Sequence, residues 1–247
     1  MDGYEVNTYG DAWVAIYDDP SIPYPKSSDI VEFLCDLSPN GPSVELGVGT
    51  GRVAVPLARD GRRVVGIDSS DAMLTAARVK MGDDPSLELI QADMVELPVD
   101  EKFALAFAVG FSFLQLGSAA RQRACLDSIS RHLTPNGVVV IDSFTPDVSR
   151  FRRGQDFIVS RMSSERVICY ATIHASEQQR LTSQAIEFVN GGVRLFPNEI
   201  RYVTPSELIE MAKDAGLRTV GIWSGWKRQP LRESAGPWVA AFRSPAD

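Results

Sequence analysis

The stretch Val44-Glu45-Leu46-Gly47-Val48-Gly49-Thr50-Gly51-Arg52 decides the fold. A short apolar run ends at Leu46, three glycines follow at alternate positions, and an apolar helical pattern begins at Val53. A strand, a glycine loop and a helix in this order bring backbone close to a nucleotide-like ligand, because glycine has no side chain to hold the ligand off. The spacing differs from the Gly-x-Gly-x-x-Gly of dinucleotide-binding loops, and an acid, Glu45, precedes it.

Two acidic residues follow the loop, each just after a later apolar run. The run at 63–67 ends in Asp68, a little under ~20 residues beyond the loop, which is the separation expected of a carboxylate that binds ribose hydroxyls. The run at 87–90 leads into Asp93 and Met94. Ligands of open parallel sheets bind beyond the carboxyl ends of the strands, so the three marks predict a nucleoside site at one sheet edge.

The loop and its preceding acid resemble motif I of the class I S-adenosylmethionine (SAM)-dependent methyltransferases. The resemblance covers about residues 30–145 by motif and the rest by the order of elements, and it implies SAM as the cofactor. In that family the glycines admit the methionine portion of SAM, the second acid holds the ribose, the third binds the adenine amine, and the loop after the fourth strand passes beneath the methyl group. The cofactor-binding residues implied are Glu45, Gly47, Gly49, Gly51, Arg52, Asp68, Asp93, Met94 and Val109.

Two of these residues have a second interpretation. Glu45 is either a ligand of the SAM ammonium, directly or through water, or a structural acid that bonds loop amides. Arg52 either meets the SAM carboxylate or is a solvated helix side chain. The sequence leaves both alternatives open.

The order of elements predicts an α/β fold. Strands alternate with helices up to about Asp142, which indicates a parallel sheet, and the apolar run 103–109 indicates a central strand buried on both faces. From about 156 to 203 the apolar period is two, as in antiparallel strands, and Thr204-Pro205-Ser206-Glu207 is a capping box before a last helix and two last strands. The family resemblance implies a Rossmann-like sheet with one antiparallel strand near the end, and an inserted antiparallel sheet over the substrate cleft.

These patterns divide a single methyltransferase domain, 1–247, into four parts. They are an N-terminal lid segment at 1–26, a SAM-binding core at 27–145, an antiparallel insertion at 150–203 that caps the substrate, and a C-terminal helix with two strands at 204–247. The lid segment concentrates aromatic residues without a clear period. It is either a strap held by its rings or, by resemblance, a lid whose Tyr17-Asp18 pair lies near the SAM methyl.

Composition limits the classes of partner that we expect for this chain. The net charge of −7 gives no electrostatic help toward nucleic acid phosphates. No apolar run approaches ~18 residues and no signal peptide is visible, so we expect a cytoplasmic protein with no membrane partner. The three cysteines and two histidines show no metal-ligand spacing, so no metal site is expected. The expected partner is a small-molecule acceptor, and the protein is a monomer or a homodimer.

Methyl transfer requires alignment of the reacting atoms and exclusion of water, and it requires no covalent protein nucleophile. A hydroxyl acceptor needs a positioned base, whereas a neutral amine must only shed a proton. The candidate catalytic residues are Tyr17 in the lid segment and His174 on the inserted sheet, each with a structural alternative. His132, at the end of a helix, is interpreted as structural.

The function expected is methyl transfer from SAM to nitrogen or oxygen of a small molecule, possibly in secondary metabolism. The Asn-Pro-Pro-aromatic signature of nucleic-acid amino-methylating enzymes is missing after the fourth strand. The element order is similar to that of sugar-amine N-methyltransferases. The alternatives are an enzyme of the same fold that catalyses another reaction, such as cyclisation, with SAM as an electrostatic aid, and a non-catalytic SAM-binding protein.

Overall fold

The computed structural model describes residues 1–19, 22, 24–232 and 234–246. Pro20, Ser21 and Pro23 of the predicted lid segment lie outside the described residues. Two sheets and a set of flanking helices form the described part of the chain. The helices are α1 Thr8–Trp13, α2 Ser27–Leu37, α3 Ala54–Arg59, α4 Asp71–Met81, α5 Ala119–Arg131 and α6 Pro205–Asp214. The strands are β1 Ser43–Leu46, β2 Val64–Asp68, β3 Leu87–Gln91, β4 Phe103–Ala108, β5 Leu133–Thr145, β6 Gln155–Met162, β7 Arg166–Ala175, β8 Arg180–Val189, β9 Gly192–Arg201, β10 Arg218–Trp223 and β11 Gly236–Arg243.

The larger sheet has the strand order β10-β11-β5-β4-β1-β2-β3. Its strands β1 to β5 run parallel to one another, whereas β11 is antiparallel to both β5 and β10. Every residue of β1 and β4 is buried, as expected of strands covered on both faces. The predicted fold class, a parallel sheet with an antiparallel strand near the end, is confirmed.

Helices cover both faces of this sheet because its central strands alternate their apolar side chains between the faces. Val44 and Leu46 of β1 lie in a core with α5 and α6. Leu105 and Phe107 of β4 lie in the opposite core, with α2 and α3. The two cores hold the carboxyl ends of four strands in one row, and this row positions the site.

Local chemistry and strand pairing define several element ends. Helix α2 begins at Ser27, and the preceding Lys26 makes no side-chain cap. Residues 135–137 lie within β5 as a bulge, because Phe103 pairs with Leu133 but Leu105 with Val138. Ser70 caps α4 and Thr204 caps α6, each accepting a backbone N–H three residues on.

The smaller sheet consists of β6, β7, β8 and β9 in sequence order, all antiparallel. This is the antiparallel insertion that the sequence predicts, and we call it the cap sheet. Val189 pairs with Gly192 across a two-residue hairpin turn, Asn190-Gly191. Pro197 lies in β9 at the sheet edge, where a missing N–H does not interrupt the ladder.

The N-terminal segment contains a short helix, α1, that the sequence does not predict. Tyr9 stacks on Trp13 with ring centroids 5.3 Å apart, and Trp13 contacts Phe196 of the cap sheet at 5.4 Å. The Trp13 indole N–H also donates to the Pro197 carbonyl over 2.9 Å. A helix this short depends on such tertiary contacts rather than on its own periodicity, which is why the sequence pattern does not reveal it.

Candidate active site

A cavity of about 690 Å³ opens where β1, β2, β3 and β4 end, and we call it the rim cavity. Six residues predicted for the site line it: Tyr17, Gly47, Gly49, Asp68, Asp93 and Met94. Others that the sequence did not indicate also line it, among them Val6, Tyr9, Gly10, Ser112, Gln115, Leu116 and Arg121. The structure therefore brings the three sequence marks together at one sheet edge, as predicted.

The glycine loop exposes its backbone to this cavity. Gly47 has a φ of +72°, and a Cβ there would lie 2.7 Å from the Ser112 side chain. Gly49 has a φ of +55°, in the left-handed region, with the Tyr17 ring 3.7 Å from where its Cβ would be. Side chains at these positions are excluded by backbone conformation and, at Gly47, by space. Tyr17 thus closes the rim cavity over the loop.

Asp68, at the end of β2, is fixed by two backbone donors. The Gly49 N–H donates to one carboxylate oxygen over 2.8 Å, and the Ser70 N–H donates to the other over 2.9 Å. Burial raises the pKa of Asp68, while the N–H donors oppose that rise. Each oxygen keeps a second lone pair, so the carboxylate can still accept from two hydroxyls in the cavity.

Asp93 follows β3 and is held by a partner that the sequence did not suggest. Its Oδ1 accepts from the Val95 N–H over 3.0 Å, and its Oδ2 pairs with Arg121 of α5 at 2.8 Å. Both side chains remain partly exposed to the cavity. Arg121 thereby orients the carboxylate and adds a cation to the rim cavity.

Four predicted cofactor residues, Glu45, Gly51, Arg52 and Val109, do not line the rim cavity. Gly51 instead provides helix packing, because a Cβ there would meet Val55 at 2.8 Å. Val109 is buried in the core beneath the loop. The contacts of Gly51 and Val109 with the cofactor therefore stay predictions.

Arg52 is partly buried beside the rim cavity, and its Nη2 lies 3.7 Å from where a Cβ on Gly110 would be. Its guanidinium lies 4.7 Å from the Tyr24 ring centroid and donates to the Pro25 carbonyl over 3.1 Å. It also lowers the pKa of Tyr17, which burial raises to about 12. Arg52 therefore connects the N-terminal segment to the glycine loop, and its contact with the SAM carboxylate stays a prediction.

Glu45 is a buried carboxyl behind the loop. Its Oε2 has no hydrogen-bond partner in the described structure. Burial raises its pKa to about 8, although Arg52 and the Ala54 N–H lower it. The Ala54 contact supports the structural alternative for Glu45, whereas its unpartnered oxygen leaves the ammonium alternative a prediction.

Asp142 was missed as a functional residue. It lies at the same sheet edge, within β5, and its two oxygens accept from the Gly110 and Phe111 N–H groups over 3.0 and 2.8 Å. Burial raises its pKa to about 6, against the effect of these donors. Asp142 shapes the loop after β4, and its place as the acid directly after the apolar run 138–141 is the signal that could have identified it.

A second cavity, of about 1390 Å³, lies between the larger sheet and the cap sheet, and we call it the acceptor cleft. Its walls include the aromatic residues Phe111, Phe144, Phe151 and Tyr170. Three residues line both cavities: Tyr9, Gly110 and Gln115. The rim cavity and the acceptor cleft therefore meet at a junction that these three residues form.

The three residues that form the junction carry no ionised side chain. The Gln115 amide donates to Asn198 over 2.9 Å and accepts from the Tyr4 hydroxyl over 3.2 Å. Burial raises the pKa of Tyr9 well above its ordinary value. The junction thus presents a neutral phenol, a fixed carboxamide and backbone.

The two catalytic candidates have different surroundings. Tyr17 lines the rim cavity next to the glycine loop. His174 lines neither cavity, since its Nε2 lies 3.0 Å from the Tyr202 hydroxyl and its ring packs on Phe151. Its contacts support the structural alternative and not a base in the cleft. The ring nitrogens of His132 both lie against carbonyl oxygens, as expected of a structural residue.

In the described residues, no helix is long and apolar enough to cross a bilayer. The same part of the chain contains no group of three or more His, Cys, Asp or Glu residues arranged to hold a metal ion.

The rim cavity fits the groups that SAM carries. Gly47 and Gly49 line the cavity without side chains, so their backbone is accessible to a ligand. Asp68 and Asp93 offer two carboxylates to hydroxyl and amino groups, and Met73 adds an apolar surface. The residues present are therefore a suitable donor set for an adenosine joined to an amino acid.

Known proteins share this architecture. A family model described as a methyltransferase domain matches residues 44–137. The CcbJ methyltransferase from Streptomyces caelestis has a solved structure that matches with a TM-score of 0.93 and 31% identity, over 98% of this chain and 100% of that chain.

Two curated relatives are similar over shorter segments. A demethylmenaquinone methyltransferase of Clavibacter sepedonicus is 29% identical over 157 residues, which cover 63% of this chain and 59% of that protein. A dTDP-3-amino-3,4,6-trideoxy-alpha-D-glucopyranose N,N-dimethyltransferase of Streptomyces venezuelae is 28% identical over 118 residues, 47% of this chain and 48% of that protein. The chain thus matches about half to three-fifths of the length of these relatives.

The full-length match to a methyltransferase at 31% identity agrees with the strand order and with the cavity at the sheet edge. SAM is accordingly the cofactor of this chain. The chain belongs to the class I SAM-dependent methyltransferases.

Proposed function

We propose that this chain transfers a methyl group from SAM to the nitrogen of a small-molecule amine. The observation that carries the proposal is the junction of the rim cavity and the acceptor cleft at Tyr9, Gly110 and Gln115. A methyl donor in one cavity and an acceptor in the other come together only there. The protein's task at the junction is to align the two and exclude water, which is worth on the order of 7–11 kcal/mol at best.

Each carboxylate of the rim cavity has a proposed role toward SAM. Asp68 accepts hydrogen bonds from the ribose hydroxyls. Each of its oxygens keeps a free lone pair after accepting from the Gly49 or the Ser70 N–H. Asp93 binds the adenine amine, with Arg121 fixing its orientation. Gly47 and Gly49 leave room for the methionine portion, and bound SAM supplies an electrophilic methyl on its sulfonium.

Nitrogen is favoured over oxygen because, among the described residues, the junction itself offers no general base. Of the carboxylates in the cleft wall, Asp147 accepts from Ser149 and Asp156 from Arg150. An alcohol or phenol acceptor must lose a proton to a positioned group of suitable pKa. Tyr9 and Tyr17 both have raised pKa values, that of Tyr17 being about 12, so both phenols stay protonated near neutral pH. His174 faces Tyr202 instead of the cleft. A neutral amine brings its own lone pair and needs no such base.

The cleft lining supports an acceptor with both apolar and hydroxyl-bearing parts. Phe144, Phe151 and Tyr170 supply aromatic surface, while Ser183 and Asn198 supply hydrogen-bonding groups. The amino-sugar N,N-dimethyltransferase similarity agrees with such an acceptor. We therefore place the acceptor among the amine-bearing small molecules of secondary metabolism.

The test is transfer of labelled methyl from SAM to a panel of amines, each paired with the hydroxyl compound of the same skeleton. Methylation of amines and not of their hydroxyl partners is expected. His174→Gln should retain the activity and its pH profile, since that imidazole is not a base here. Methylation confined to the hydroxyl compounds, or loss of activity in His174→Gln with SAM affinity intact, would contradict the choice of nitrogen. SAM binding without any methyl transfer would favour a non-methylating enzyme or a SAM-binding protein.

A further inference from the structure

A line of polar side chains crosses the face of the cap sheet that lines the acceptor cleft. Residues that pair across neighbouring antiparallel strands place their side chains on the same face of a sheet. One such set takes a residue from each strand and, from β6 to β9, consists of Asp156, Thr172, Ser183 and Asn198. All four residues line the acceptor cleft, and we call them the polar row.

The sets of paired residues on either side of the polar row are largely apolar. One set contains Ile158, Tyr170, Ala185 and Phe196, and the other contains His174, Leu181 and Ile200. Four of these residues also line the cleft: Ile158, Tyr170, Leu181 and Ile200. Polar groups in an apolar wall cost free energy when a ligand displaces their water, unless the ligand supplies hydrogen-bond partners. The cleft therefore favours a ligand whose own polar groups follow the polar row.

The polar row keeps hydrogen-bonding capacity for such a ligand. Gln115 donates to the Asn198 carboxamide oxygen over 2.9 Å, so the Asn198 NH₂ group can donate to a ligand. Ser183 donates to a backbone carbonyl over 3.5 Å, and its oxygen can still accept. Arg150 donates to one oxygen of Asp156 over 2.8 Å, which leaves the other oxygen as an acceptor. A set of both donors and acceptors suits hydroxyl groups, because each hydroxyl donates and accepts.

The polar row has two different ends. At one end, Asn198 is bonded to Gln115, which is one of the three junction residues. At the other end, Asp156 lies three strands away, which is roughly 14 Å at the spacing of strands in a sheet. A molecule that contacts the whole polar row and also reaches the junction is therefore longer than a single sugar ring.

Charge limits the ligand further. Besides tyrosine, the ionisable side chains that line the cleft in the described part of the chain are Asp147, Arg150 and Asp156. Arg150 is the single cation of this group, and it pairs with Asp156 at 2.8 Å. Proteins bind phosphate groups with Arg, with Lys or with the N–H groups of helix N-termini. The cleft wall therefore suits a neutral or cationic ligand and not one that carries a pyrophosphate.

We propose that the polar row recognises the hydroxyl groups of the acceptor, and that the acceptor is a polyhydroxylated amine of at least two linked rings without phosphate. This inference rests on the proposed function, since it takes the acceptor cleft as the place where the amine binds. The ring that carries the reacting nitrogen lies at the Asn198 end, beside the junction. The hydroxyls of a more distant ring bond to Thr172 and Asp156.

The test measures binding and methyl transfer with the same panel of compounds. The panel contains aminoglycosides of two or three linked rings, deoxygenated analogues of the same skeletons, and amino sugars linked to a nucleoside diphosphate. Calorimetry with the full chain saturated with S-adenosylhomocysteine gives the affinities. Aminoglycosides should bind about 10-fold or more tightly than either other group, because a missing hydroxyl leaves polar groups of the cleft unpaired.

Two variants remove hydroxyls from the polar row, Thr172→Val and Ser183→Ala. Each should weaken aminoglycoside binding about 10-fold and leave binding of the deoxygenated analogues nearly unchanged. Thr182→Val is the matched control, because Thr182 precedes Ser183 on β8 and lies on the opposite face, where it donates to Glu199 over 3.3 Å. SAM affinity should be equal in the wild type and all three variants, which shows that they are folded.

Several results would overturn this inference. They are failure of every aminoglycoside to bind, equal binding of aminoglycosides and deoxygenated analogues, tighter binding of the nucleoside diphosphate sugars, and wild-type affinity in both polar-row variants. Methylation of amines regardless of their hydroxyls would leave the proposed function standing and reject the role of the polar row. Aminoglycosides that bind through the polar row without being methylated would support that role and contradict methyl transfer to amines.

Discussion

The rim cavity and the acceptor cleft meet at one junction, yet different kinds of chemical group line them. Backbone and strand-end carboxylates form the rim cavity: Gly47, Gly49, Asp68 and Asp93. Side chains from the N-terminal segment and the cap sheet form much of the cleft, including Tyr9, Tyr170 and Asn198. A ligand common to a whole family can be held by backbone, whereas an acceptor particular to one enzyme requires side chains that are free to vary. The cofactor can therefore be identified from backbone and strand-end residues, whereas the acceptor depends on side chains specific to this enzyme.

Replacing Asp68 should have the largest effect, because it removes the acceptor for two backbone donors as well as the proposed ribose ligand. Asp68→Ala leaves the N–H groups of Gly49 and Ser70 without their partner. We expect SAM affinity to fall by roughly 1–3 kcal/mol, the usual cost of leaving buried polar groups unsatisfied. Isothermal titration calorimetry measures this directly.

The matched control is Asp71→Ala, which removes an exposed carboxylate three residues along the same chain segment. Its SAM affinity should equal that of the wild type. Equal affinities for Asp68→Ala and the wild type would break the claim that strand-end carboxylates build the rim cavity.

The raised pKa of Glu45, which lies behind the glycine loop, predicts that the free energy of unfolding depends on pH. Its folded pKa, about 8, is above the ordinary 4.5, so the folded state holds a proton that the unfolded state has lost. Stability is therefore greatest below the unfolded pKa and decreases as pH rises through about 8. Asp142, with a pKa raised to about 6, contributes in the same direction over a lower pH window.

Between pH 6 and 8 the wild type should lose more stability than Glu45→Gln, by about 1–2 kcal/mol, with a slope limited to ~1.4 kcal/mol per pH unit for one proton. Urea unfolding at the two pH values provides the measurement. Glu88→Gln, which alters an exposed glutamate, should keep the wild-type slope. An identical slope in wild type and Glu45→Gln would show that Glu45 is ionised when folded.

The smallest effect is expected where the N-terminal segment joins the glycine loop. Lys80 pairs with Asp18 at 2.6 Å and donates to Thr50 over 2.7 Å. Both charged side chains are over a third exposed, so solvent screens the pair and Lys80→Met should cost only a few tenths of a kcal/mol. The loss should shrink at high salt, as urea unfolding can show.

Arg78→Met serves as the comparison, since Arg78 pairs with Asp71 within the same helix and does not contact the N-terminal segment. Both variants should lose little stability, but only Lys80→Met should increase proteolysis within residues 14–25. Equal proteolysis in both would show that Lys80 does not hold that segment in place.

The fold and the rim cavity were predictable from sequence because their signals are local. Each signal involves only a few consecutive residues, whether three alternating glycines, an acid at the end of a strand or an apolar run. The cap sheet was predictable for the same reason, through its period of two and its Asn190-Gly191 turn. Asp142 carried the same strand-end signal as Asp68, and only its role in binding the Gly110 and Phe111 amides was missed.

The rest of the site depends on contacts between distant parts of the chain. Helix α1 is stable because Trp13 packs on Phe196, 183 positions further along. Arg121 reaches Asp93 from α5, and Gln115 is fixed by Asn198 of the cap sheet. The sequence made His174 a candidate base, because periodicity alone does not reveal its contact with Tyr202. No local pattern specifies which of these residues meet.

The most direct test of the account is a crystal structure of the chain with S-adenosylhomocysteine, the product of methyl transfer. The account predicts its adenine beside Asp93, its ribose on Asp68 and its sulfur at the junction of Tyr9, Gly110 and Gln115, facing the acceptor cleft. A sulfur atom directed away from that junction, or a rim cavity that does not hold the molecule, would contradict it.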